Sequence, residues 1–195
     1  VITMATSIEI EAKALLTKKD YNKVLKHFKL DVVDGYIQKN YYIDTENKDL
    51  RKLGLSLRVR RLNGYVISFK LPMAEGLLEK TQTLSREQFE DFETHGKFPE
   101  GDISDFIESL YISPSDLKII ATLTTLRIEQ EYEDLTLAID ENRYGELQDF
   151  ELEMEATSMK KAQYLLKKVC EEVGIDYKEN LVSKQKRAMD ALSAV

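Results

Sequence analysis

The feature that most constrains this fold is a two-residue alternation of charge and aliphatic bulk that recurs along the chain. Residues Ser7–Lys13 read Ser-Ile-Glu-Ile-Glu-Ala-Lys. Extended backbone sends successive side chains to opposite faces. Glu9, Glu11 and Lys13 therefore share one face, and Ile8, Ile10 and Ala12 share the other. The design returns further on. Ser56, Arg58 and Arg60 lie opposite Leu55, Leu57 and Val59, and Ser68 and Lys70 lie opposite Ile67, Phe69 and Leu71. Arg127, Glu129 and Glu131 lie opposite Leu126 and Ile128, and Thr136, Ala138 and Asp140 lie opposite Leu135, Leu137 and Ile139. Glu151, Glu153 and Glu155 lie opposite Phe150, Leu152 and Met154. Strands of this kind call for an antiparallel sheet with one apolar, covered face and one polar face.

Turn and cap signals divide the chain around these strands. Strands are expected at residues 7–13, 36–45, 55–62, 65–71, 77–84, 121–132, 135–141 and 147–156. Asn63-Gly64 is the strongest hairpin signal, and Glu133-Asp134 makes a tight connection. Thr17 caps a helix with Tyr21, Val24, Leu25 and Phe28 on one stripe. Its lysines, Lys18, Lys19, Lys23, Lys26 and Lys29, read as a solvated face. Ser85-Arg-Glu-Gln88 is a capping box. Shorter helices are expected at 102–110 and 115–120. Ser158 caps a helix that Gly174 stops, with Ala162, Leu165, Leu166, Val169 and Val173 inward. Cys170 lies beside that stripe and reads as a packing residue. A last helix covers 183–192. No linker or helical-repeat period divides the chain, and its two strand-rich halves match too weakly to be taken as a repeat, so residues 1–195 are expected to form one domain.

Composition narrows the function classes. With 43% hydrophobic and 32% charged residues, the chain is globular rather than disordered. A formal net charge of −7 argues against a general nucleic-acid or anionic-membrane binder. A single cysteine excludes an internal disulfide framework. No apolar run is long enough to span a bilayer and no signal peptide precedes Ser7, so a cytoplasmic location is expected.

The polar faces are unusual because sign is segregated by strand. Acids dominate the first and last strands, and bases dominate the hairpin. A solvated sheet face explains any one strand. Across the set, three arginines and at least six carboxylates would converge if the strands closed into a barrel. Buried acids and bases are costly without partners. A polyanion with divalent cations would complete the balance. Carboxylate oxygens suit Mg²⁺ or Mn²⁺, and arginines fork onto phosphate oxygens.

These residues resemble the CYTH domain, or triphosphate tunnel metalloenzyme, family. Glu9-Ile-Glu11-Ala-Lys13 matches its E-x-E-x-K signature, and Leu57-Arg58-Val59-Arg60 its paired-arginine strand. Lys70, Arg127, Asp140 and Phe150-Glu151-Leu-Glu153 match later positions in order. Ser183-Lys184 matches a C-terminal lysine, with Lys186 as a competitor. The resemblance implies an α+β fold, an eight-stranded antiparallel tunnel with a charged interior flanked by helices. It implies that Arg58, Arg60, Lys70, Arg127 and Lys184 hold the phosphates of a triphosphate substrate, with Lys13 near the terminal one. Glu9, Glu11, Glu151 and Glu153, assisted by Asp140, would hold Mg²⁺ or Mn²⁺. Lys13, Glu11 and Glu153 are the candidate catalytic residues. Glu79 matches a further acid in an uncertain register, and Glu155 extends the acidic face as a bystander.

The implied activity is metal-dependent hydrolysis of a triphosphate: tripolyphosphate first, then thiamine triphosphate or a nucleotide. Cyclisation of ATP ranks lower, because the family's cyclases carry a histidine-containing segment before E-x-E-x-K that Thr3–Ile8 does not match. A non-catalytic binder of polyphosphate or nucleotide would gain little from so many carboxylates. His27 and His95 fall in helical segments and receive no role. No nucleic-acid or membrane partner is expected, and neither monomer nor homodimer is favoured.

Overall fold

The computed structural model describes residues 4–192. Its strands are β1 (Met4–Glu9), β2 (Glu11–Leu16), β3 (Tyr36–Asp44), β4 (Ser56–Arg61), β5 (Tyr65–Pro72), β6 (Leu77–Leu84), β7 (Lys118–Tyr132), β8 (Leu135–Tyr144) and β9 (Leu147–Glu155). Its helices are α1 (Lys18–Phe28), α2 (Asp49–Lys52), α3 (Arg86–His95), α4 (Asp102–Ser109), α5 (Met159–Val173) and α6 (Lys184–Leu192). None is long and apolar enough to cross a membrane.

The strands hydrogen-bond in the order β1-β6-β5-β4-β3-β7-β8-β9-β2. All eight expected strands are present. The ninth arises because the first divides at Ile10, where the chain exchanges its β6 neighbour for β9. The Ile10 carbonyl accepts from the Ala156 amide at 2.9 Å, and the β2–β9 register begins at Glu11↔Glu155. The hydrogen-bonded order is open, with β1 and β2 at its two ends.

Turn chemistry sets the registers. Glu133 and Asp134 both take positive φ, 47° and 63°, so Tyr132 pairs directly with Leu135. That is a two-residue hairpin whose backbone twist suits the flanking strands. Between β4 and β5, Arg61 pairs with Tyr65, and Gly64 adopts a φ of 135° that a side chain would strain.

Two expectations need correction. The helix at 115–120 is replaced by a single 3-10 turn at Pro114–Asp116, and β7 starts at Lys118. The β-branched run Ile119, Ile120, Thr122, Thr124, Thr125 favours extended backbone over a short helix. Helix α2 was not anticipated. Its first turn is held by the buried Asp44 carboxylate, which accepts from the amides of Thr45, Leu50 and Arg51 at 2.7, 2.9 and 3.1 Å.

The chain falls into two compact units. The first holds Lys39–Thr122 and the described residues up to Ile8. Its core gathers the inward side of the hairpin, Leu57, Val59, Ile67 and Phe69, under Phe89 and Phe92 of α3 and Ile103 and Ile107 of α4. The second unit holds Glu9–Gln38 and the described residues from Leu123 onward. There the aliphatic faces of β2, β7, β8 and β9 (Ala12, Ala14, Ile128, Leu137, Ile139, Leu152 and Met154) pack against α1 and α5. Capping by Thr17 and Ser158 is as expected, each side chain accepting from an amide in the first turn. Cys170 is a buried member of this core, and burial pushes its thiol up to about 11. In both units the helices cover the aliphatic faces.

Candidate functional site

In the second unit, neighbouring strands set the charged residues side by side. Leu15, Glu151, Asp140 and Arg127 form one cross-strand row through β2, β9, β8 and β7. Lys13, Glu153 and Ala138 form the adjoining row. The small side chain of Ala138 leaves room for Arg127 to reach across rows. Its guanidinium forks onto Asp140, Nε to Oδ1 at 2.8 Å and Nη2 to Oδ2 at 2.6 Å, and Nη2 also meets Glu153 Oε2 at 2.5 Å. Lys13 Nζ lies 2.9 Å from Glu11 and 3.4 Å from Glu153.

The centre of the cluster is an ammonium. Lys184, at the start of α6, is 7% exposed. Its Nζ donates to Asp140 Oδ2 at 2.6 Å and to Glu153 Oε1, and it lies against Glu151 Oε1 without hydrogen-bond geometry. Lys186, its competitor in the sequence, points to solvent and pairs with Asp190 at 2.5 Å. Helical geometry explains the choice, because Lys184 shares a face with the buried Ala188, four residues on.

Mutual neutralisation makes such burial tolerable. Desolvation alone would discharge Lys13 and Lys184, but the facing carboxylates more than offset it and hold both above the ordinary lysine value. Arg127 is raised in the same way by Glu153 and Asp140. For Glu153, burial pushes upward, and Lys184, Lys13 and Arg127 together carry it well below the usual carboxylate range. Glu151 is different. Burial pushes it up, Glu153 adds to that, and Lys184, Lys13 and Arg187 do not fully compensate.

Sequence reasoning missed two members of this cluster. Arg187 donates to Glu151 Oε2 from Nη2 at 2.9 Å and to Asp149 Oδ2 from Nε at 2.9 Å. Asn180 donates to the same Glu151 oxygen at 3.1 Å. Arg187 stands three residues after Lys184, a helical spacing that a search for strand alternation passes over. Asn180 lies in a segment that borders β2, its amide donating to the Lys13 carbonyl at 2.8 Å.

The first unit carries the basic hairpin. Arg58, Arg60 and Lys70 project from the polar faces of β4 and β5, each half-buried. Arg58 Nε is buried with no hydrogen bond, and its nearest acid is Glu79, 3.7 Å from Nη2. Glu79 is buried on β6 directly opposite Lys70. Arg60 Nε reaches the buried Asn40 at 3.4 Å. Of the remaining expected residues, Glu9 ends β1 half-buried, and Glu155 is exposed at the end of β9.

Among the described residues, one buried group has the chemistry of a cation site. Single oxygens of Asp140, Glu151 and Glu153 lie within 4.8 Å of one another. An all-oxygen donor set of this kind fits a hard divalent cation. Glu151 Oε1 is a buried carboxylate oxygen that accepts no hydrogen bond among the described residues and is met by the Lys184 ammonium alone.

Helices on the aliphatic faces and interleaved acids and bases on the polar face together define an α+β protein with a charged sheet face. The chain belongs to the CYTH domain family, whose model matches residues 7–183. It is 33% identical over 177 residues to YjbK of Bacillus subtilis, a candidate triphosphatase, covering 90% of this chain and 92% of YjbK. Among solved structures it resembles a candidate adenylate cyclase from Bacillus halodurans, with 31% identity, a TM-score of 0.86, and 93% of this chain and 97% of that one covered. A plant protein from Hippeastrum, a candidate adenylyl cyclase with a dominant triphosphatase activity, shares the fold at 20% identity with a TM-score of 0.74. That match covers 94% of this chain and 96% of the plant protein.

Proposed function

We propose that this protein hydrolyses a linear triphosphate, with tripolyphosphate as the first candidate and thiamine triphosphate or a nucleoside triphosphate next. The observation that carries this reading is the buried cluster in which Lys13, Arg127 and Lys184 interleave with Asp140, Glu151 and Glu153. Phosphoryl transfer asks little covalent chemistry of a protein and much positioning and charge compensation. Arg58, Arg60, Lys70, Arg127 and Lys184 are assigned to the phosphates. Lys13, held between Glu11 and Glu153, is assigned to the terminal phosphoryl group, where its ammonium offsets charge on the departing oxygen. Glu11 and Glu153 orient the attacking water. Glu9, Glu11, Asp140, Glu151 and Glu153 would hold Mg²⁺ or Mn²⁺, which when bound supplies further positive charge against the phosphate oxygens.

The metal-stripped protein is expected to release phosphate from tripolyphosphate only after Mg²⁺ or Mn²⁺ is restored. Full activity in EDTA would sink the metal-dependent reading.

The Bacillus halodurans relative supports a second reading, cyclisation of ATP. Scoring ATP turnover for both phosphate and cyclic nucleotide separates the two. Binding of tripolyphosphate and ATP without turnover of either would favour a non-catalytic module.

A further inference from the structure

The acid network behind Glu151 has an asymmetry that the proposed reaction does not use. Glu151 Oε2 accepts two hydrogen bonds, from Arg187 and Asn180, whereas Oε1 accepts none among the described residues and has only its ion pair with Lys184. Both donors are themselves fixed. Val182 donates its amide to Asn180 Oδ1 at 3.0 Å, which sets the orientation of the Asn180 amide group. Arg187 spends its remaining nitrogens on Asp149 and on the Val182 carbonyl, the latter at 2.7 Å. Asp149 in turn accepts from Asn142 at 2.9 Å and from the Tyr144 hydroxyl at 2.6 Å. Asn142 is anchored by the Thr125 hydroxyl, which donates to its Oδ1 at 2.7 Å.

We propose that Arg187 is a positioning residue that locks the Glu151 carboxylate in one orientation and directs its Oε1, which lies against the Lys184 ammonium, toward the place where a divalent cation would take over that contact. The assignment rests on the metal-dependent reading above. A guanidinium beside a ligand carboxylate would ordinarily neutralise it and weaken cation binding. Here Asp149 shares the guanidinium's charge, so Arg187 orients Glu151 without fully neutralising it, and a cation at Oε1 would compete with Lys184. The guanidinium's planar fork is what lets it serve Asp149 and Glu151 together. Lysine offers no such geometry. Partners that orient a metal-binding side chain typically matter by roughly 10–100-fold in metal affinity.

The test measures Mn²⁺ alone, by the electron paramagnetic resonance signal of the free ion, on the metal-stripped full chain. Wild type is expected to bind Mn²⁺, and Arg187→Met to bind it about 10–100-fold more weakly. Arg187→Lys, which keeps the charge and one donor, is expected to recover only part of the loss. It also carries the test should Arg187→Met fail to fold. In turnover assays the Mn²⁺ concentration for half-maximal rate should rise in step, with KM for tripolyphosphate at saturating Mn²⁺ nearly unchanged. A purely structural role would lower the thermal midpoint and leave the affinity of the folded protein where it was. Folded variants that bind Mn²⁺ as tightly as wild type overturn the assignment. Arg187-dependent Mn²⁺ binding in a protein that leaves tripolyphosphate intact overturns the function and spares the assignment. A wild-type chain that binds no Mn²⁺ overturns the assignment together with the metal-dependent reading.

Discussion

The two units handle charge in opposite ways. In the second, Lys184 alone touches three carboxylates, and Arg127 forks onto Asp140 while reaching Glu153. In the first, among the described residues, Arg58 has a buried Nε without a hydrogen bond and a 3.7 Å contact to Glu79. Close-packed opposite charges make the first of these arrangements part of what holds its unit together. A sparsely paired arginine contributes little to stability, and in the proposed function its partner is the phosphate of the substrate. Charge removal should therefore have different consequences in the two places.

The largest effect is expected from Lys184→Met. It removes the central ammonium and leaves Asp140, Glu151 and Glu153 facing one another. Breaking a buried charge network from one side costs about 3–5 kcal/mol. In a chain of this size that corresponds to a fall in thermal midpoint on the order of 10 °C, readable by calorimetry. A midpoint within a degree or two of wild type would erase the contrast between the units.

Arg58→Ala should separate binding from stability. Its thermal midpoint should stay close to wild type, and its affinity for tripolyphosphate should fall roughly 10–100-fold, the worth of a charge-assisted phosphate contact. Calorimetric titration would measure it. Unchanged affinity would mean that the hairpin face is merely solvated. Lys186→Ala should do least. Its exposed pair with Asp190 is the kind worth well under about 1 kcal/mol, so stability and turnover should both match wild type. A strong loss of activity would move the important lysine of α6 from position 184 to 186.

Much of this was legible in the sequence because strand alternation is a one-dimensional signal. A period of two marked the charged faces of six segments between Ser7 and Glu155, and β-forming composition marked the strands at 36–45 and 77–84. It could not see what depends on three-dimensional return of the chain. Asn180 and Arg187 enter the acid cluster from an irregular segment and a helix, where the two-residue period is silent. Lys184 against Lys186 was decidable only by adding the helical period, which groups Lys184 with Ala188. The division of the first strand at Ile10 reflects a change of hydrogen-bonding partner that no residue type announces. The helix expected at 115–120 overlooked the β-branched run that begins at Ile119, which favours the strand found there.

The pairing of β2 with β9 carries a consequence for how the chain comes to be folded. Glu11 must find Glu155, so β2 pairs with a strand that is made much later in the chain. The β7–β8–β9 meander can zip through short turns, but β2 waits until that ladder exists, and closing so long a loop costs entropy before any contact repays it. Refolding should be slow relative to helical proteins of similar length. The interval in which Ala12 and Ala14 lack their cover is when the nascent chain is most exposed to aggregation.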